Sequence, residues 1–173
     1  MIVMWIFGYG SLIWRPDFDF VERRPCVVAG YKRRFYQGSE DHRGTPESPG
    51  RVVTLLPDDA EETVGVAYRL DGSEASILRQ LDYREKNGYC RLNVMCRSDA
   101  GTFEALTYIA TVENEAYLGP APLDEMAAQI SVSEGPSGMN RDYLFALANA
   151  LRDLSVDDSH VFELEAAVRQ RGQ

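Results

Sequence analysis

The apolar residues pass from mostly strand-like runs to sustained helical spacing near residue 120 of this 173-residue chain, and that shift restricts the fold more than any single motif. Up to about residue 110 they come in short β-branched runs, as in "RVVTLLP", "TVGVAYRL", "YCRLNVMCR" and "FEALTYIAT". From Pro122 onward, "APLDEMAAQI", "NRDYLFALANALRDL" and "HVFELEAAVRQR" repeat their apolar residues at steps of three and four, the period of an amphipathic helix. One stretch among the strand runs, "GSEASILRQLDYRE", also takes helical spacing, with Ser73 placed as its N-cap. Strands first, helices afterwards and one helix interrupting the strands predict an α+β fold. The expected form is a curved, mostly antiparallel sheet or small barrel with helices packed on it.

Local signals set the finer expectations. Ile2 to Phe7 reads as a short buried strand. "PCVVAGYKRRFYQG" reads as a second strand region in which Gly30 makes a bulge or bend. Residues 39–50, "SEDHRGTPESPG", carry the Gly, Pro, Ser and charge of a long loop. The acidic "DDAEE" between two β-branched runs predicts a hairpin, and "SDAG" predicts another. "GPSG", residues 135–138, separates the first two helices of the C-terminal half. No internal repeat, low-complexity segment or linker interrupts the chain, so 1–173 reads as one domain.

Composition excludes several classes of function. Hydrophobic residues make up 45% and charged residues 26%, as in ordinary globular proteins. No apolar run approaches the ~20 residues that span a bilayer, and no signal peptide is read, so no membrane association and a cytoplasmic location are expected. The net charge is −9, distributed as +1 over residues 1–50 and −10 over the remainder. Nucleic-acid binding needs a basic face. "YKRRF", residues 31–35, is the one candidate, and it reads better as a half-exposed strand with a positive outer edge. An anionic small molecule is compatible with an acidic chain that holds a local basic pocket. Cys90 and Cys96 stand about 20 Å apart along one strand, too far to bridge, and all three cysteines, Cys26 included, read as small buried hydrophobes. His42 and His160 are not spaced as a metal pair, and no metal site is expected.

Two constellations carry possible chemistry. The first, "GYGSLI", begins like a dinucleotide fingerprint but has Ile13 where a third glycine belongs. It reads as a turn whose glycines permit close backbone approach. Either its N–H groups and the Ser11 hydroxyl converge on an anion, or it is a tight structural turn without a ligand. The second is "LRQLDYREKNGY". If its helix continues, Glu85 falls on the stripe of Ile77, Leu78 and Leu81, where burial would raise its pKa toward that of a general acid/base. If the helix stops earlier, Glu85 joins Arg84 and Lys86 in a solvated cluster. Arg43, Arg51, Tyr117, Tyr143 and Arg141 lie in Gly- and Pro-rich segments that would rim a pocket, although surface or capping roles suit each of them better. His42 reads as an exposed loop histidine with no catalytic triad around it.

The segments "FGYGSLIW", "RRFYQGSEDHRGTPESPGRVVTL", "GVAYRL", "REKNGY", "LTYIAT", "YLGPAPLDEMAAQI" and "GPSGMNRDYLFALANALR", in this order, resemble the ChaC family of glutathione-specific γ-glutamylcyclotransferases. The resemblance runs from about residue 4 to about residue 169. It implies a small mixed, mostly antiparallel β-barrel with flanking helices. It also implies a cofactor-independent enzyme that splits glutathione into 5-oxoproline and cysteinylglycine. Carried over by position, Gly8, Tyr9, Gly10, Ser11, Leu12 and Ile13 would hold the γ-glutamyl group, and Glu85 would be the catalytic carboxylate. Asn87 stands where the family has glycine, and Met139 where it more often has arginine. Two rivals stay open here: a cyclotransferase for other γ-glutamyl peptides or γ-glutamylamines, and a non-catalytic γ-glutamyl-binding module.

Overall fold

A computed structural model describes residues 3–72, 74–86 and 88–172, with the side chains of residues 74 and 84–86 outside that description. The predicted N-cap Ser73, the substituted position Asn87 and the first residue of the predicted opening strand, Ile2, lie outside the described residues. Five strands, β1 (Trp5–Gly8), β2 (Glu22–Ser39), β3 (Gly50–Arg69), β4 (Cys90–Ser98) and β5 (Gly101–Ile109), close into a barrel in the order β1-β3-β2-β4-β5. Its pairings are antiparallel along β1·β3, β2·β4 and β4·β5, and the parallel β1·β5 pairing at Ile6 and Leu106 closes it. The helices are α1 (Glu74–Lys86), α2 (Leu123–Val132), α3 (Asn140–Asp153) and α4 (Ser159–Arg171). A two-stranded ribbon of β6 (Glu134–Gly135) and β7 (Gly138–Met139) forms at "GPSG". No helix among the described residues is long and apolar enough to cross a membrane. The α+β barrel expectation holds.

The β4–β5 hairpin turns at Asp99-Ala100, with Ser98 opposite Gly101, as "SDAG" predicts. The hairpin expected at "DDAEE" does not form: β3 runs unbroken for 20 residues through it. The acidic side chains stay near or at the surface, and opposite charges on other strands meet them. Lys32 pairs with Asp58 at 3.3 Å and Arg97 with Glu62 at 3.1 Å. Charge that reads as a turn in one dimension is therefore the solvent side of a long strand.

Gly30 changes the phase of β2. Before it the inward residues are Cys26 and Val28; after it they are Arg33, Phe35 and Gln37. Its φ of +87° supplies the left-handed step of a bulge, and one extra residue exchanges the two faces of all that follows. The half-exposed reading of "YKRRF" is corrected at Arg33, which is 3% exposed. The cysteine expectation is corrected too. Cys26 and Cys96 are buried as neighbours across β2 and β4, but Cys90, at the first position of β4, is exposed.

Contacts divide the chain into two compact units, Met1–Arg33 with Leu55–Glu115, and Arg34–Thr54 with Ala116–Gln173. In the first, Ile6, Leu12, Leu70, Ile77, Leu81, Leu106 and Tyr108 form one apolar core, with Leu78 packed against it. In the second, α2, α3 and α4 bury Ile130, Leu144, Leu147, Leu151 and Leu164 completely. Asn140 there acts as a strand substitute: its Oδ1 accepts from the Arg51 N–H at 2.8 Å and its Nδ2 donates to the Arg51 carbonyl at 2.8 Å.

Glu165 of α4 is also buried, and it accepts hydrogen bonds from Arg152 at 3.1 Å and Arg169 at 3.2 Å. These guanidinium groups, Arg152 foremost, hold its carboxyl below the ordinary carboxylate range. Its folded-state pKa is thus depressed relative to the unfolded chain. The stabilisation is present above the ordinary carboxylate pKa and is lost as pH falls through the depressed value. Glu165→Gln should therefore lower the melting temperature at pH 7. The gap from the unsubstituted protein should narrow as pH falls below the ordinary carboxylate range and close once it has passed through the depressed value, which paired thermal melts across pH would measure.

Candidate functional site

The opening strand delivers the chain directly into a turn. β1 ends at Gly8, and Ser11–Ile13 form one turn of 3-10 helix, closed by the Ile13 N–H donating to the Gly10 carbonyl at 2.9 Å. Leu12 and Ile13 are buried, Leu12 in the same core as Ile77 and Leu81 of α1. The apolar wall of the loop thus fastens it to the barrel and to the helix that carries Glu85.

Gly8 is needed for a steric reason. A Cβ there would stand 2.7 Å from the Leu12 Cβ and 3.3 Å from its carbonyl carbon. Only a residue without a side chain lets the turn fold back this closely. Gly10 differs. Its φ is −132°, so no left-handed conformation demands glycine there.

Side chains from the barrel take up the loop's carbonyl groups. Thr107 Oγ1 donates to the Phe7 carbonyl at 2.9 Å, and Arg33 Nη1 donates to the Tyr9 carbonyl at 3.0 Å. The Tyr68 hydroxyl donates to the carbonyls of Leu12 at 2.6 Å and Ile13 at 3.1 Å. The Tyr9 hydroxyl reaches across to the Tyr108 carbonyl at 2.6 Å. The N–H groups of Gly10, Ser11 and Leu12, by contrast, meet no acceptor among the described residues, and the Ser11 turn has no side-chain cap. With its carbonyls tied back, the loop offers a run of amide donors, the arrangement that suits an anion or a developing oxyanion.

Helix α1 continues through residue 85 to Lys86, so the reading in which it stops earlier does not hold. Ile77 and Leu81 are buried, and position 85 follows at the next i+4 step. The Glu85 side chain itself lies outside the described residues.

The third predicted group is not a single cluster. Arg51 is 5% exposed instead of lying at the surface, and it donates to the carbonyls of Phe35 at 2.8 Å and Gly119 at 2.9 Å and to Gln129 Oε1 at 2.7 Å. Burial pulls its pKa down from the usual arginine value, with Tyr36, Glu125 and Tyr117 opposing. Tyr143 is buried and its hydroxyl accepts from the Val53 N–H at 3.3 Å, while Arg43 lies 5.8 Å from its ring. Tyr117 is half-buried, bridged in strand fashion to Gln37, and burial raises its phenol pKa. Arg141 stands apart, on a groove of about 790 Å³ with Phe145, Val168 and Arg169. His42 is exposed and hydrogen-bonds Ser137 at 3.0 Å. Among the described residues no His, Cys, Asp or Glu cluster could hold a metal ion.

Sequence reading missed Arg33 and Tyr68. The available signal was the bulge at Gly30, which places Arg33 on the same inward face as Phe35.

A family model described as ChaC-like protein matches residues 4–171. The chain belongs to the ChaC-like family. This ChaC-like chain is 45% identical over 178 residues to Gamma-glutamylcyclotransferase 2-3 of Arabidopsis thaliana, covering 97% of this chain and 89% of the relative. It is 45% identical over 173 residues to Glutathione-specific gamma-glutamylcyclotransferase 1 of Danio rerio, covering 95% and 88%. Among solved structures, the selenomethionine-labelled γ-glutamyl cyclotransferase specific to glutathione from yeast matches with a TM-score of 0.88 at 33% identity. That match covers 97% of the ChaC-like chain and 96% of the yeast one.

Proposed function

We propose that this protein is a glutathione-specific γ-glutamylcyclotransferase, converting glutathione to 5-oxoproline and L-cysteinylglycine. The observation that carries the reading is its 45% identity, over 95% of the chain, to an enzyme named for glutathione-specific γ-glutamylcyclotransfer. The chemistry needs little machinery. The α-amine of the γ-glutamyl group attacks the γ-carbonyl of the same molecule, forming the lactam C–N bond. The bond from that carbonyl to the cysteine nitrogen then breaks, and no water is consumed. Because the nucleophile is tethered, the protein's task is to fold the substrate into the closing conformation.

In this reading Glu85 removes the proton from the attacking amine and returns one to the departing cysteine nitrogen. The amides of Gly10, Ser11 and Leu12 hold the γ-glutamyl group, with Gly8, Tyr9 and Ile13 shaping the turn. Their lack of acceptors among the described residues supports that assignment.

Incubation with glutathione in ¹⁸O-water, followed by mass spectrometry, tests the proposal. The expected products are 5-oxoproline without ¹⁸O and cysteinylglycine. Glutathione acetylated on its α-amine should remain intact, since an amide nitrogen is a poor nucleophile. Cleavage of the acetylated compound, or release of ¹⁸O-labelled glutamate, would establish hydrolysis and overturn the reaction class.

A further inference from the structure

We infer that Arg33 is a positioning residue for cyclotransfer, holding the 8–13 loop so that its amides face the γ-glutamyl group. The inference rests on the reading of that loop as the γ-glutamyl-binding element. Three observations carry it. Arg33 is 3% exposed, so its guanidinium has left water, a cost that a side chain serving only as strand filler would not incur. Its Nη1 donates both to the Tyr9 carbonyl at 3.0 Å and to the Val64 carbonyl at 2.9 Å. One nitrogen thereby ties the loop to β3 of the barrel wall. Finally, Tyr68 performs the corresponding task at the other end of the turn, on the carbonyls of Leu12 and Ile13.

The geometry has a directional consequence. Successive carbonyls fastened to the barrel restrict how the intervening peptide planes can rotate, and so fix where their N–H groups point. A buried guanidinium does this with a planar, fixed fork and adds a positive charge close to the loop. A hydroxyl would supply one donor, with neither the fork nor the charge. Donors aligned before the substrate arrives need no reorganisation during the reaction. Charge beside the loop in a poorly screened setting strengthens their attraction for a carboxylate or oxyanion.

The test uses the full chain carrying Glu85→Gln, so that glutathione is bound without being consumed. Its amide resonances for Gly10, Ser11 and Leu12 should shift when glutathione is added. Arg33→Met in that background should weaken binding about tenfold or more by calorimetry and broaden those resonances. Arg33→Lys, which keeps the charge and loses the fork, should recover part of the affinity. In the otherwise unsubstituted enzyme, Arg33→Lys should raise KM more than it lowers kcat, a split that general destabilisation would not produce.

If the three amides do not shift in the Glu85→Gln protein, the loop assignment fails and the Arg33 inference falls with it. If they shift but Arg33→Met binds glutathione as tightly as its background, only the Arg33 inference is overturned. Should Arg33→Met fail to fold, Arg33→Lys decides. Unchanged affinity and KM there would equally overturn the inference.

Discussion

Glu85→Gln should reduce turnover of glutathione by about 10²-fold or more while leaving the melting temperature close to that of the unsubstituted protein. The amide keeps the size and hydrogen-bonding reach of the carboxylate, but it cannot accept a proton from the attacking amine. Every other part of the proposed mechanism survives the change: the substrate still binds, and its nucleophile is still tethered. The loss should therefore fall on kcat, with affinity for glutathione retained. Helix α1 supports this choice of residue, since it continues to Lys86 and brings position 85 one i+4 step beyond the buried Leu81. Steady-state kinetics with thermal melts of both proteins would check it. Near-normal turnover would remove Glu85 from the role of base.

The second large effect is expected at the start of the loop. Gly8→Ala places a methyl group 2.7 Å from the Leu12 Cβ and 3.3 Å from the Leu12 carbonyl carbon. Neither atom is the far end of a flexible side chain, so the turn itself must move. Overpacking of this kind costs about 1–3 kcal/mol of stability. Leu12 also belongs to the core shared with α1, so a displaced turn disturbs both elements of the proposed site. Gly8→Ala should thus lower the melting temperature and abolish measurable glutathione binding together. Gly10→Ala adds a methyl group within the run of amides proposed to hold the γ-glutamyl group, at a residue with φ −132° and ψ −126°. Binding should weaken if a ligand approaches this backbone closely. Calorimetric titration into each variant, in the Glu85→Gln background, would show the difference. A Gly8→Ala protein that binds glutathione normally would mean the turn tolerates displacement and its shape does not govern the site.

Much of the architecture was legible because it depends on neighbours in the chain. The helical period after Pro122 appears as α2, α3 and α4, and "SDAG" turns the β4–β5 hairpin as its residues require. The close turn at Gly8 and Gly10 was legible for the same reason: a glycine pair bounded by large apolar residues describes a backbone held tightly against a core. The unbroken β3 was not legible. "DDAEE" has the composition of a turn, and it remains extended where Lys32 and Arg97, from β2 and β4, meet Asp58 and Glu62. The loop's fastenings were hidden more deeply. Arg33 acts on the Tyr9 carbonyl from 24 residues away, and Tyr68 on the Leu12 carbonyl from 56. Backbone carbonyls are the same at every residue, so no side-chain pattern marks which of them will receive a donor. The sequence by itself determined the succession from strands to helices, the position of α1 among the strands and the residues able to form a tight, glycine-permitted turn. Only barrel closure, with the reversal of face at Gly30, decided that a guanidinium and a phenol would hold that turn's carbonyls and leave its amides without protein acceptors among the described residues.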